Sequence, residues 1–149
     1  MAQVMFYHLQ RARIEDVLPP LLEKCLERDW RAVVQAGSQE RLEALDMHLW
    51  TYRDEAFLPH GTARDGAAEE QPVFLTSGDD NPNGAAVRFL VDGAELPDLS
   101  AYERVVYLFD GADEEALARA RQRWLQARAA GHEVTYWQQT EAGRWEKRA

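Results

Sequence analysis

The chain predicts an α/β fold of three layers, helix, sheet and helix, Rossmann-like, with a mostly parallel central sheet. Short apolar runs of strand length alternate with stretches of helical period. The first four elements run strand–helix–strand–helix, an order that joins parallel strands through helices lying on the faces of the sheet. The 149 residues are 46% hydrophobic, 10% aromatic and 29% charged. That is the composition of a soluble globular chain, and the length suits one domain over residues 1–149 that buries a core without staples.

Taken in order, Val4 to Leu9 is a short, largely buried opening strand. Glu15 to Arg28 follows as a helix, with Val17, Leu21, Leu22, Cys25 and Leu26 at helical spacing. Pro19 and Pro20 fit it only near its first turn, because proline lacks the N–H and crowds the turn before it. Trp30, in the connection, is expected as a core wedge. Arg31 to Ala36 is the second strand, closed by Gly37, and Ser38 caps a helix running through Trp50 on a Leu42/Leu45/Leu49 stripe. Phe57-Leu58-Pro59-His60 leads into a loop, Gly61 to Glu70, expected to be exposed and mobile. Val73-Phe74-Leu75 is a short buried strand, Ser77 to Gly84 a turn-rich loop, Val87 to Val91 another strand, and the passage to Leu99 loop-like. Val105 to Phe109 is a strand and Asp110-Gly111-Ala112 its turn. Asp113 then caps a helix to about Ala130, which Gly131 ends in the C′ position. Glu133 to Gln139 is a last strand, and a tail follows.

No apolar run approaches the roughly 20 residues of a membrane span, and Met1 to Tyr7 has no basic stretch leading into an apolar one, so no signal peptide is expected. The single cysteine, Cys25, cannot form an internal disulfide. It is expected as a small buried hydrophobe in a reducing, cytoplasmic setting. The net charge of −9 argues against nonspecific nucleic-acid binding, which neutralises many phosphates.

A Rossmann-like order invites a nucleotide, but the first strand-to-helix passage, Gln10-Arg11-Ala12-Arg13, has no glycine. Gly37-Ser38 offers a short anion signal for which a turn plus N-cap is the plainer reading. Asp110, Asp113, Glu114 and Glu115 crowd the last helix's N-terminus, where they would repel a phosphate. His8, His48, His60 and His132 are scattered, without metal-ligand spacing. Neither cofactor nor metal is expected, and no residue set suggests catalysis. The rival reading, a degenerate nucleotide-binding or nucleotide-hydrolysing enzyme on the same scaffold, rests on Gly37-Ser38 alone.

Charge is distributed unevenly. From Ala116 onward six Arg and one Lys face three Glu, a net of +4, whereas the first 115 residues carry 10 Lys+Arg and 23 Asp+Glu, a net of −13. On a helical wheel Leu117, Arg121, Trp124 and Arg128 fall within an arc of about 60°, with Ala116, Ala120 and Ala127 beside them. Arg119 and Arg123 point to the other flank. Two readings of this face are open. One is a solvated arginine edge with Trp124 as ordinary core. The other is an apolar pocket walled by Trp124 and rimmed by guanidinium groups, suited to a peptide that ends in a hydrophobic side chain and a free carboxylate. Thr135, Tyr136 and Gln138 of the next strand would form its other wall.

Across essentially its whole length the chain also resembles the chi subunit family of the bacterial DNA polymerase III holoenzyme. The resemblance begins at Phe6-Tyr7 and continues through Leu49-Trp50 and Phe57-Leu58-Pro59-His60. It is strongest in Ala120-Arg121-Gln122-Arg123-Trp124, Gly131-His132 and Thr135-Tyr136-Trp137-Gln138-Gln139, and closes with Gly143-Arg144-Trp145-Glu146-Lys147. It implies a three-layer α/β fold without a nucleotide site and a non-catalytic accessory protein of the clamp loader. Such a protein binds the acidic C-terminal tail of single-stranded DNA-binding protein and links the loader to coated lagging-strand template. Carried across by position, Arg121, Trp124, Arg128, Tyr136 and Gln138 would take that tail. Leu117 and Leu125 stand where well-known members carry lysine, which implies fewer cations. A second surface, at Trp50, Phe57, Pro59 and His60, would bind the psi subunit or another loader component.

Overall fold

The computed structural model describes residues 2–10, 12–52 and 58–149. Its elements are β1 (Gln3–Leu9), α1 (Ile14–Glu27), β2 (Ala32–Gln35), α2 (Gln39–Thr51), β3 (Gly61–Thr62), β4 (Val73–Thr76), β5 (Val87–Leu90), β6 (Arg104–Asp110), α3 (Glu114–Ala129), β7 (Glu133–Gln139) and β8 (Trp145–Lys147). Two 3-10 turns, Ala63–Asp65 and Ala68–Glu70, separate β3 from β4. The strands form one sheet in the order β3-β4-β2-β5-β6-β1-β7-β8, parallel throughout except for the antiparallel β7–β8 pair. β2, β4 and β5 are buried at every position, as a sheet covered on both faces requires. One core, under α1 and α2, holds Leu18, Leu22, Leu45, Leu49, Val34 and Leu108. The other, on the opposite face, holds Phe6, Tyr107, Phe109, Ala120 and Ala127 under α3. The fold is the three-layer α/β/α arrangement.

Four local expectations are corrected. Pro19 and Pro20 lie inside α1, beyond its first turn. Proline at 19 removes the N–H that would bond the Glu15 carbonyl, and His48 Nε2 of α2 meets that carbonyl at 2.7 Å. The helix survives because its neighbour satisfies the orphaned acceptor. Gly61 and Thr62 are buried and pair with Phe74 and Leu75, so the segment from Gly61 to Glu70 opens as an edge strand rather than as a loop. The tail folds back, with Trp145 opposite Gln139 and Lys147 opposite Trp137. Trp30 is only half-buried, with Arg28 and Arg104 each 5.3 Å from its ring centroid.

The caps form as the sequence predicts. Ser38 Oγ accepts from the Arg41 amide at 3.2 Å, and Asp113 Oδ1 accepts from Glu115 and Ala116 at 2.9 and 3.3 Å. Arg41 then joins Glu15 (2.7 Å) to Asp92 (3.2 Å), tying α2 to α1 and to the turn after β5. Beyond α3, loops cover the second face, packing Leu99 and Tyr102 over Val33, Phe74 and Leu90. The fully buried Arg88 of β5 holds this cover. Its guanidinium donates to Gln35 Oε1, the carbonyls of Gly78 and Asp80, and the Tyr102 hydroxyl, at 2.7 to 3.1 Å.

Candidate functional site: a cavity beside the last helix

Ala120 and Ala127 are buried against the sheet, and their small side chains let α3 sit close to β1 and β7. One turn away on the same helix, Trp124 reaches over β1 and β7. Its ring meets Phe6 edge-on at 5.5 Å and 65°, and Tyr136 at 5.9 Å and 74°. The three rings cannot close the space between helix and sheet, and a cavity of about 530 Å³ remains. Phe6, His8 and Phe109 form its floor, Leu117, Trp124 and Leu125 its helical wall, Tyr136 the strand side, and Arg121 its mouth. Leu125 is 66% exposed, so the apolar surface continues outward from the opening. This volume lies within the usual range for ligand sites.

The polar groups inside are few and coupled. The Tyr136 hydroxyl and His8 Nδ1 share a hydrogen bond. Burial pushes the Tyr136 phenol above its ordinary pKa, and the Arg121 guanidinium partly opposes this. Burial lowers the His8 pKa, against a smaller opposing pull from Asp110. At neutral pH the phenol is therefore protonated and the imidazole neutral, so the bond joins two uncharged groups. A Cβ on Gly111 would lie 1.7 Å from His8 Nε2, so the turn after β6 needs glycine there for the imidazole to fit. The phenol and imidazole satisfy each other, which leaves Arg121 as the cation at the mouth of an aromatic hole. Chemically this suits an apolar side chain flanked by an anionic group.

Of the residues expected at this site, the structure brings together Arg121, Trp124 and Tyr136. Arg128 is exposed on the last turn of α3 and Gln138 lies two residues further along β7, paired with His8; neither lines the cavity. Arg119 and Arg123 turn to the other flank, where Arg119 meets Glu115 at 3.8 Å and Arg123 donates to the Ala94 carbonyl at 3.4 Å. Sequence reasoning did not include Phe6, His8 or Phe109. The alternation of β1 sets Phe6 and His8 on one face with Val4, but only the order β6-β1-β7 brings that face under Trp124.

The second expected surface divides. Trp50 is 49% exposed, and Met47, one turn before it, is 71% exposed. Pro59 is half-buried and Phe57 lies outside the described residues. His60 lies beneath this surface. It is only 4% exposed, with Nδ1 2.7 Å from the Leu58 carbonyl and Nε2 3.1 Å from an Asp46 carboxylate oxygen. Its ring centroid lies 4.2 Å from that of Trp50, so it supports Trp50 from beneath.

The anion signals are committed to the fold. A Cβ on Gly37 would lie 2.0 Å from the Asp92 carbonyl oxygen, so that glycine admits a neighbouring backbone while Ser38 caps α2. The Asp113 carboxylate takes first-turn amides of α3. Among the described residues, no three His, Cys, Asp or Glu converge to hold a metal ion, and no helix is long and apolar enough to cross a membrane.

Residues 1–135 match the family described as DNA polymerase III chi subunit, HolC. The chain is also similar to the probable DNA polymerase III subunit chi of Rickettsia prowazekii (strain Madrid E), with 27% identity over 109 residues. That alignment covers 73% of this chain and 66% of the relative's own length. A match running from β1 to Thr135, early in β7, takes in β1 to β6 and the helices α1, α2 and α3 and stops just before Tyr136, and on that match the chain belongs to the DNA polymerase III chi subunit family.

Proposed function

We propose that this chain is a non-catalytic accessory subunit of the DNA polymerase III clamp-loader complex. In this reading the cavity beside α3 receives the acidic C-terminal tail of single-stranded DNA-binding protein, linking the loader to coated lagging-strand template. One observation carries it: Arg121 stands at the mouth of an apolar hole walled by Trp124 and Tyr136. A terminal hydrophobic side chain enters the hole, Arg121 takes the carboxylate, and Arg128 and Gln138, outside the cavity, lie on the path of the acidic residues before it. DNA is met only through this partner, no cofactor or metal is required, and the setting is the cytoplasm.

Calorimetry with a peptide of acidic residues ending in Phe, and with its C-terminally amidated form, tests the reading. A charge-assisted bond contributes about 1.5–3 kcal/mol. Amidation or Arg121→Ala should therefore weaken binding about 10- to 100-fold and leave the melting temperature nearly unchanged. Equal binding of the free and amidated peptides would refute carboxylate capture.

Exposed Met47 and Trp50, with Pro59 nearby in the chain, support a second contact, to the psi subunit or another clamp-loader component. Trp50→Ala should reduce capture of that subunit without changing affinity for the tail peptide. Unchanged capture would remove this surface from the proposal.

A further inference from the structure

The opposite face of the sheet carries a second built feature, away from both surfaces above. β1 turns Met5 and Tyr7 toward α1, and together with Val106 they floor a groove of about 460 Å³. Leu21 and Cys25 of α1 form one apolar wall, and Trp30 closes an end. On the side of the β7–β8 hairpin, Tyr7 stacks on Trp145 at 4.6 Å and 31° and lies 6.2 Å from Trp137. Lys24, Arg28 and Arg104 rim this apolar floor, with Glu27 the one acid among its lining residues.

These three cations outnumber the one acid beside them. Among the described residues no carboxylate lies within ion-pair distance of Lys24, Arg28 or Arg104. Burial pushes the Cys25 thiol up to about 11, while Arg104 and then Arg28 pull the other way, so both guanidinium fields reach the groove. In a chain of net charge −9 such a local excess favours an anionic occupant.

From this charge complementarity and the apolar floor, we infer that the groove between α1 and the sheet strands β1, β5 and β6 docks an acidic amphipathic segment of a partner protein. Its aliphatic side chains lie on Met5, Tyr7 and Val106, and its carboxylates meet Lys24, Arg28 and Arg104. A nucleic acid fits less well, because base stacking needs open ring faces. Arg28 and Arg104 already lie over Trp30, and Tyr7 and Trp145 occupy each other's faces.

The test uses the full chain, isotope-labelled, and a helical peptide with a Leu stripe and Glu on its other faces, acetylated and amidated. Its blocked end keeps it from a carboxylate-capturing site, so this result and that of the tail peptide are independent. Binding should shift the indole N–H resonances of Trp30, Trp137 and Trp145 and leave that of Trp124 in place. The Arg28→Glu/Arg104→Glu variant should weaken binding at least about tenfold, with Arg121→Ala matching the parent. If the double variant fails to fold, Lys24→Glu, at an exposed position on α1, should weaken binding by a smaller factor. Shifts confined to Trp124, affinity insensitive to these reversals, or displacement of the peptide by oligothymidylate would each overturn the inference.

Discussion

Arg88 is the strongest test of how the second face of the sheet is held. Replacing it with Met keeps much of the side chain's length and apolar bulk and deletes all five donated hydrogen bonds. Two acceptors then remain buried: Gln35 Oε1, which had bonds at 2.7 and 3.1 Å, and the Tyr102 hydroxyl, which had one at 2.9 Å. Each orphaned group costs about 1–3 kcal/mol. The carbonyls of Gly78 and Asp80 lie nearer the surface and can take water, so they are not counted. Relief from burying a guanidinium without a carboxylate partner offsets part of the loss. The expected net destabilisation of Arg88→Met is about 2–4 kcal/mol. Urea unfolding with an unchanged slope is the assay. Adding Gln35→Met removes one orphaned acceptor, so the double variant should be more stable than the sum of the single losses predicts, by about 1–2 kcal/mol. Stability of Arg88→Met within about 0.5 kcal/mol of the parent would refute the assignment of the loop cover to this side chain. Tail-peptide affinity should not change, since the loops lie over the half of the sheet that α3 leaves open.

Three further outcomes follow from local geometry. His48→Ala leaves the Glu15 carbonyl without the donor that replaces the missing Pro19 amide, and should cost about 1–2 kcal/mol in urea unfolding; a Pro19→Ala background should shrink that loss. Gly111→Ala forces the His8 ring off its bond to Tyr136 and toward the cavity. It should weaken the tail peptide severalfold in calorimetry, and unaltered affinity would show that the ring rotates elsewhere at no cost. Burial raises the Glu15 pKa, but the hydrogen bond and charge of Arg41 outweigh it and hold the carboxyl below its ordinary 4.5. A depressed carboxylate contributes stability above its unfolded pKa and loses it as pH falls through the folded one. The stability gap between the parent and Glu15→Gln should therefore be present at neutral pH and close progressively below 4.5, as followed by urea midpoints across that range.

Much of the fold can be read in the chain because it is encoded locally. Alternating apolar runs mark the strands, Ser38 and Asp113 cap their helices as residues with short acceptor side chains do, and Gly131, at φ 86°, ends α3 as only a residue free of Cβ does readily. The wheel that groups Arg121 and Trp124 on one face needs only the 3.6-residue period. For this reason part of the cavity's wall is legible in the sequence.

What required the tertiary structure was every feature whose partner is distant in sequence. Local pattern does not record which strand pairs with which, so the placement of β1 between β6 and β7, and with it the floor of Phe6, His8 and Phe109, was invisible. The prolines of α1 are tolerated because His48 comes from another helix, and His60 is buried because Asp46 and Leu58 close around it. β3 and β8 are too short to announce themselves and form as neighbours to strands already paired. Sequence determined the elements, their caps and the charged face of the last helix, because these depend on backbone period and on groups a few residues apart. Tertiary structure decided the hollow itself, because a cavity is the space left between surfaces that meet only after the chain has folded.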